Sequence, residues 1–127
     1  MQTKKRFPDE VYTALKKSKS IRVRAGRAHR FSGIWFVLVE DRVLARSWSV
    51  KPDGWYHAFL KEPRGAIQVR KAEIPVCAQP IRTKRLKDAA DRAYLKKYCT
   101  AWELRYAKDL MQEKSRATTI EFLPSES

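Results

Sequence analysis

The hydrophobic pattern changes period along this chain, and each change marks an element. Pro8 followed by Asp9 and Glu10 opens a helix with acids in its first turn, and Val11, Tyr12 and Leu15 give it one apolar stripe to about Lys17. From Ser20 the period becomes two, with Ile21 and Val23 on one side and Arg22 and Arg24 on the other. Ala25-Gly26-Arg27 reads as a turn. Phe31 to Val39 is the next strand, and its run Ile34-Trp35-Phe36-Val37-Leu38-Val39 is apolar on both faces. Such a run predicts a central strand covered from two sides. Glu40-Asp41-Arg42 turns it back into Val43 to Trp48, a tight hairpin.

Lys51-Pro52-Asp53-Gly54 breaks that strand, and Trp55 to Lys61 reads as a short helix ended before Pro63. Ala66 to Arg70 alternates again, with Ile67 and Val69 inward. Ile74 to Ile81 is extended, and Pro75 and Pro80 place it at a sheet edge. Leu86, Ala89, Ala90, Ala93 and Tyr94 recur at helical spacing. A second helix follows, with Trp102, Tyr106, Ala107, Leu110 and Met111 on one face, and Thr118 to Leu123 closes the chain as a strand. The sum is mainly β with helices, an α+β class. The strands suit a small antiparallel barrel with one inserted short helix and a C-terminal helical pair.

Length and composition narrow this further. At 127 residues the chain suffices for one domain with a core, and 43% hydrophobic residues support a folded one. No apolar run approaches the ~20 residues of a membrane span. Met1 to Arg6 is basic and has no apolar stretch behind it, so a disordered start and a cytoplasmic location are the expectation. Cys77 and Cys99 are the only cysteines, and His29 and His57 the only histidines. A four-ligand zinc site would need all of them, so no metal is expected and the thiols read as reduced.

The charge changes the picture most. The formal net charge is +14. Ten basic residues precede position 31 against Asp9 and Glu10 alone, and seven lie between Arg82 and Lys97 against Asp88 and Asp91. Such a field attracts nucleic acid, anionic membrane surfaces or phosphorylated small molecules, and charge alone does not choose among them.

Particular motifs do choose. Ala45-Arg46-Ser47, a loop ending in Gly54, Trp55-Tyr56-His57-Ala58-Phe59-Leu60-Lys61-Glu62-Pro63 and the strand Ala66-Ile67-Gln68-Val69 resemble the deazaflavin-dependent nitroreductase group of the flavin-binding split-barrel superfamily, the pyridoxamine phosphate oxidase-like proteins. Gly26-Arg27 stands where that group has a Gly-Arg-x-Ser-Gly turn, though Ala28-His29-Arg30 replaces the Ser-Gly pair and Ala58 replaces the helix Asn. Arg46-Ser47, Gly54-Trp55-Tyr56, Ala93-Tyr94-Leu95-Lys96-Lys97-Tyr98 and Thr118-Thr119 are similar to a related bacterial family of unknown function. The resemblance covers about Ile21 to Pro124. It implies one split-barrel domain over 1–127, holding FMN or a deazaflavin and paired as a homodimer with the cofactor between subunits.

Candidate residues follow. The resemblance puts Arg46 and Ser47 at the cofactor, where a guanidinium takes a phosphate bidentately and a hydroxyl adds a donor. Lys51 could add a point charge from its loop. Trp55 either anchors its helix to the barrel or walls a flat ring with its indole. Arg22, Arg24 and Arg70 lie on non-core strand faces and would form a cationic strip for a phosphate tail if the Ser20 and Ala66 strands meet. Against this stands an ordinary solvated face. His57 and His29 read as surface residues, since nothing supplies a nucleophile or an orienting partner.

The first functional reading is therefore a flavin- or deazaflavin-phosphate-binding split barrel, with weak oxidoreductase activity as its enzymatic form and no catalytic residue assigned. Two alternatives fit the same chain. One is a basic nucleic-acid-binding barrel using tyrosines and tryptophans interleaved with arginine, and the other is a degenerate barrel acting only as a dimeric interaction protein.

Overall fold

The computed structural model describes residues 6–48 and 54–125. In chain order the elements are α1 (Asp9–Lys16), β1 (Ser20–Ala25), β2 (Ser32–Val39), β3 (Arg42–Ala45), α2 (Trp55–Lys61), β4 (Arg64–Val69), β5 (Ala72–Pro80), α3 (Lys84–Lys97), α4 (Ala101–Asp109), α5 (Glu113–Arg116) and β6 (Ile120–Pro124). The strands close into an antiparallel barrel in the order β1-β2-β3-β6-β5-β4, with β4 returning to β1. The α+β class and the small antiparallel barrel expected from the sequence are what the structure shows. Among the described residues no helix is long and apolar enough to cross a membrane.

The two-faced apolar run explains how the barrel is built. Ile34 and Phe36 of β2 point into the barrel, where they meet Val23, Ile67, Val76, Ile120 and Phe122. Val37 and Val39 point outward under α3, against Leu86, Ala90, Tyr94 and Tyr98. Each face of one strand thus serves a separate core. The inner core is stoppered by helices: α1 contributes Tyr12 and Leu15, and α2 inserts Phe59 with its ring 5.2 Å from that of Phe122. Each buried Phe or Leu contributes on the order of 2 kcal/mol by leaving water.

Two hairpin tips are tight. Val39 pairs with Arg42, so Glu40 and Asp41 alone make the β2–β3 turn, both at positive φ (54° and 63°), the geometry a two-residue hairpin of this twist requires. Val69 pairs with Ala72, leaving Arg70 and Lys71 at the next tip, with Arg70 at φ 58°.

Two sequence expectations are corrected. β5 is no edge strand, for it lies between β4 and β6. The closed ring tolerates its prolines because each turns its nitrogen to a side where the neighbouring strand has ended. Pro75 pairs with Ala66 of β4 but turns its carbonyl, and hence its nitrogen, to the other side, where Ser125 lies just past β6, and Pro80 lies beyond Cys77, the partner of the first β4 residue. The second correction concerns α4. Ala107 and Leu110 are buried, whereas Trp102 is 64% exposed and Tyr106 39%. The buried line of this helix runs one residue round from the aromatic stripe.

Candidate functional site

The motifs that carry the family resemblance turn out to bind one another. Arg46 follows β3 and its side chain has no exposed surface. Its Nε–H donates to Thr119 Oγ1 (2.9 Å), Nη1 to the Leu110 carbonyl (3.0 Å) and to Asp91, and Nη2 to the Lys87 carbonyl (2.7 Å). The backbone N–H of the neighbouring Ser47, also buried, donates to Thr118 Oγ1 at 2.8 Å. Thr118 and Thr119 in turn donate to the carbonyls of Ser115 and Arg116. Arg46-Ser47 and Thr118-Thr119 are therefore one internal knot joining β3 to α3, α5 and β6. Arg46 was expected to grip a phosphate. The structure assigns its donors to protein acceptors instead, because a buried guanidinium must satisfy its own N–H groups.

The aromatic motif on α3 works the same way. Tyr94 Oη donates to the Trp35 carbonyl (3.1 Å) and accepts the Arg46 backbone N–H (3.1 Å). Tyr98 Oη accepts the Phe36 N–H (3.1 Å) and donates to the Lys19 carbonyl (2.5 Å). Burial pushes both phenols well above their ordinary range. Lys97 donates to the Phe36 carbonyl (2.9 Å), with its ammonium 3.4 Å from the Phe36 ring centroid. Burial, with Lys19 nearby, lowers Lys97 to about 8. These residues staple α3 across the outer face of β2.

The open chemistry lies at the other side of the barrel, around β1. Gly26, at φ 58°, donates its N–H to the Arg64 carbonyl (2.7 Å). Gly65 lies so close to β1 that a Cβ there would stand 2.1 Å from the Arg24 carbonyl oxygen and 2.9 Å from the Phe59 ring. Beside this contact is a cavity of about 500 Å³ lined by Arg24, Arg27, Arg64, Glu62, Glu73 and Ser125, among others. Across β1 is a smaller cavity of about 190 Å³ lined by Arg24, His29, Arg30, Ser32, Trp55 and Ala58, among others. Arg24 belongs to both. Its guanidinium stacks 4.4 Å from the Phe31 ring centroid and reaches Glu73 only at 3.6 Å, and its buried Nε–H has no partner. A buried N–H left unpaired costs about 1–3 kcal/mol, so this guanidinium is poised to receive an acceptor.

The other sequence candidates are dispersed. Trp55 packs on Phe59 and Phe122, which anchors its helix to the barrel, and it also lines the smaller cavity. β1 and β4 do pair, with Arg22 opposite Gln68 and Arg24 opposite Ala66. Antiparallel register then sends Arg70 to the hairpin tip at the far end of β4, away from both cavities, so the strip does not gather on Arg24. Lys51 lies outside the described residues. His57, whose buried Nδ1 has no partner, lines neither cavity. Arg27 and Arg30 lie in the Gly26 turn, which with Ala58 is where the resemblance puts positions near the cofactor, and His29, Arg30 and Ala58 do line the smaller cavity. Glu62, Arg64 and Glu73 were not singled out by sequence, since nothing local reveals that β1 and β4 converge. Among the described residues no cluster of His, Cys, Asp or Glu fits a metal ion.

A closed antiparallel barrel decorated in this way is the split-barrel fold of the pyridoxamine phosphate oxidase-like proteins. HutZ, the heme storage protein from Vibrio cholerae, superposes with a TM-score of 0.68 at 11% identity, over 96% of this chain and 92% of that one. A putative pyridoxamine 5'-phosphate oxidase from Listeria innocua gives 0.59 at 15%, over 93% of each chain. The conserved hypothetical protein Rv2991 from Mycobacterium tuberculosis gives 0.59 at 11%, over 97% and 85%. At such identities the likeness is one of fold. No curated protein matches the sequence. Residues 12–122 match the family described as "Uncharacterized protein conserved in bacteria (DUF2255)", and the chain belongs to that family.

Proposed function

We propose that this protein binds a phosphorylated ring cofactor of the flavin or deazaflavin kind on the two cavities that flank β1. The observation that carries the reading is Arg24, whose buried, unpartnered Nε–H lies on the wall common to both. Among the described residues the smaller cavity is lined by Arg24, Arg30, His29 and Ser32 and by no carboxylate, which suits the phosphate. The larger has a volume typical of cofactor pockets, and its Glu62 and Glu73 offer acceptors for the N–H edge of a ring. Trp55 closes the phosphate end. Redox chemistry would come from the cofactor when bound, with the chain supplying position and charge. The homodimer belongs to the same reading, a second copy covering the open side of the larger cavity.

The test is titration of the wild type and Arg24→Ala with riboflavin, FMN and haem side by side. FMN should bind more tightly than riboflavin to the wild type, and the substitution should remove that preference. Failure of either flavin to bind, or equal FMN affinity of the two proteins, overturns the proposal, and tight binding of haem alone replaces the flavin with a porphyrin.

A further inference from the structure

The aromatic stripe that α4 leaves uncovered points to a second binding surface, independent of the cavities around β1. We propose that Trp102, Tyr106 and Trp48 form a stacking platform for the bases of single-stranded nucleic acid. Trp102 and Tyr106 stand one helical turn apart with ring centroids 5.0 Å apart. Trp48, 37% exposed, donates its indole N–H to the Tyr106 carbonyl at 3.1 Å, which fixes a third ring beside them.

This platform is rigid from below. Trp48 meets Trp35 edge to face at 5.0 Å, and Trp35 lies stacked on Tyr98 at 3.9 Å, which is itself hydrogen-bonded into β2. Aromatic rings held in place lose little freedom when a base stacks on them, and every base offers a π-face, so the surface needs no particular sequence. Burying such rings against the fold would be the usual fate of tryptophan. Here the amphipathic line of α4 passes through Ala107 and Leu110 instead, and the rings face solvent.

The surrounding charge decides which occupant fits. From Lys84 to Asp109 the acids are Asp88, Asp91, Glu103 and Asp109. The first three are already paired, Asp88 and Asp91 with Arg116 and Glu103 with Lys19. Arg105 sits on the aromatic stripe itself, three residues after Trp102, and it is exposed with no carboxylate partner among the described residues, as are Arg92, Lys96 and Lys108. The stripe thus carries Arg105 on α4 with its rings and Lys108 on the same helix, while Arg92 and Lys96 add free cations on α3, and among the described residues Asp109 is the unpaired acid of this segment. A second copy of a chain carrying +14 would meet like charge there. A polyanion with stacking groups meets both features favourably.

The experiment is fluorescence anisotropy of a dye-labelled oligothymidine, titrated with the wild type, Trp102→Ala, Trp102→Phe and Arg24→Ala at low and moderate salt. The wild type should bind, with affinity falling as salt rises. Trp102→Ala should weaken binding by about 5- to 100-fold, the scale of one lost base stack. Trp102→Phe should restore much of the loss, and Arg24→Ala should bind as the wild type does, which separates this surface from the cofactor site. Undiminished binding by Trp102→Ala, or none by the wild type at low salt, overturns the proposal. Equal competition by polyglutamate assigns the surface to an acidic protein instead, and a Trp102-dependent dimer in sedimentation without oligonucleotide binding assigns it to a second copy.

Discussion

Arg46 and Asp91, 45 positions apart in sequence, form an ion pair in which the arginine side chain is wholly enclosed and the aspartate is 26% exposed. Asp91 also receives Arg116, so a single carboxylate ties the end of β3 and α5 to the middle of α3. Removing Arg46 leaves Asp91 with Arg116 alone and takes the buried donor from Thr119 Oγ1 and from the Leu110 and Lys87 carbonyls. Arg46→Ala should therefore destabilise the fold by about 1–3 kcal/mol for each acceptor left bare. Urea unfolding of the mutant measures this, and a loss below about 1 kcal/mol would show that the knot is dispensable. A refolded Arg46→Ala protein should still prefer FMN to riboflavin, since its guanidinium faces neither cavity.

Arg24 should behave in the opposite way. Arg24→Ala should cost FMN binding about 1.5–3 kcal/mol, the scale of a charge-assisted hydrogen bond, with little change in stability. Arg24→Lys should recover only part of the affinity, because a lysine supplies charge without the Nε–H of the guanidinium. Calorimetric titration of the three proteins checks the order.

Arg70 supplies the control. It occupies a left-handed backbone position at the β4–β5 tip, which costs a non-glycine residue about 1 kcal/mol. Arg70→Gly should leave flavin affinity unchanged and raise the unfolding midpoint slightly. A loss of FMN binding in this mutant would return Arg70 to the site.

Gly65 tests the geometry of the cavity wall. A methyl group there overlaps the Arg24 carbonyl at 2.1 Å and the Phe59 ring at 2.9 Å, so β1 and β4 would have to part. Gly65→Ala should destabilise by about 1–3 kcal/mol, the range for overpacking. Thermal unfolding read by circular dichroism gives the value, and a neutral result would mean that the strands stand further apart than described.

Lys97 makes stability pH-dependent in the alkaline range. Burial, with Lys19 nearby, lowers it from 10.5 to about 8, so between these values the folded chain holds fewer protons at this site than the unfolded chain. Stability then rises with pH across that window, as the penalty on the charged form is lifted. The bond to the Phe36 carbonyl and the ring beneath it favour the ammonium and moderate the slope. The urea midpoint of the wild type relative to Lys97→Met should move in the wild type's favour from pH 8 to 10.5. A flat difference would place Lys97 at its ordinary value.

The sequence by itself determined the six strands and the four longer helices, because periodicity two and periodicity 3.6 are local properties, whereas α5, a single turn, is too short to show a period. It also determined that β2 is covered on both faces, since no other arrangement hides Ile34 through Val39. The family motifs were legible as motifs, yet what they do was not. Arg46-Ser47 and Thr118-Thr119 look like separate exposed donors until the barrel closes and β3 meets β6, when they become each other's partners. The assignment of β5 to an edge failed for a related reason: whether a proline costs a hydrogen bond depends on what lies beside it, and ring closure sets that. Helical spacing grouped Trp102 with Ala107, and only the docking of α4 decided which side of the helix is inward. The cavity residues Arg27, Arg30 and Arg64 come from turns and a strand start with no pattern of their own. Arg30 meets Arg24 through the β1–β2 connection, whereas Arg64 does so because Gly65 lets β4 approach β1, a contact between positions about forty residues apart that local sequence does not encode.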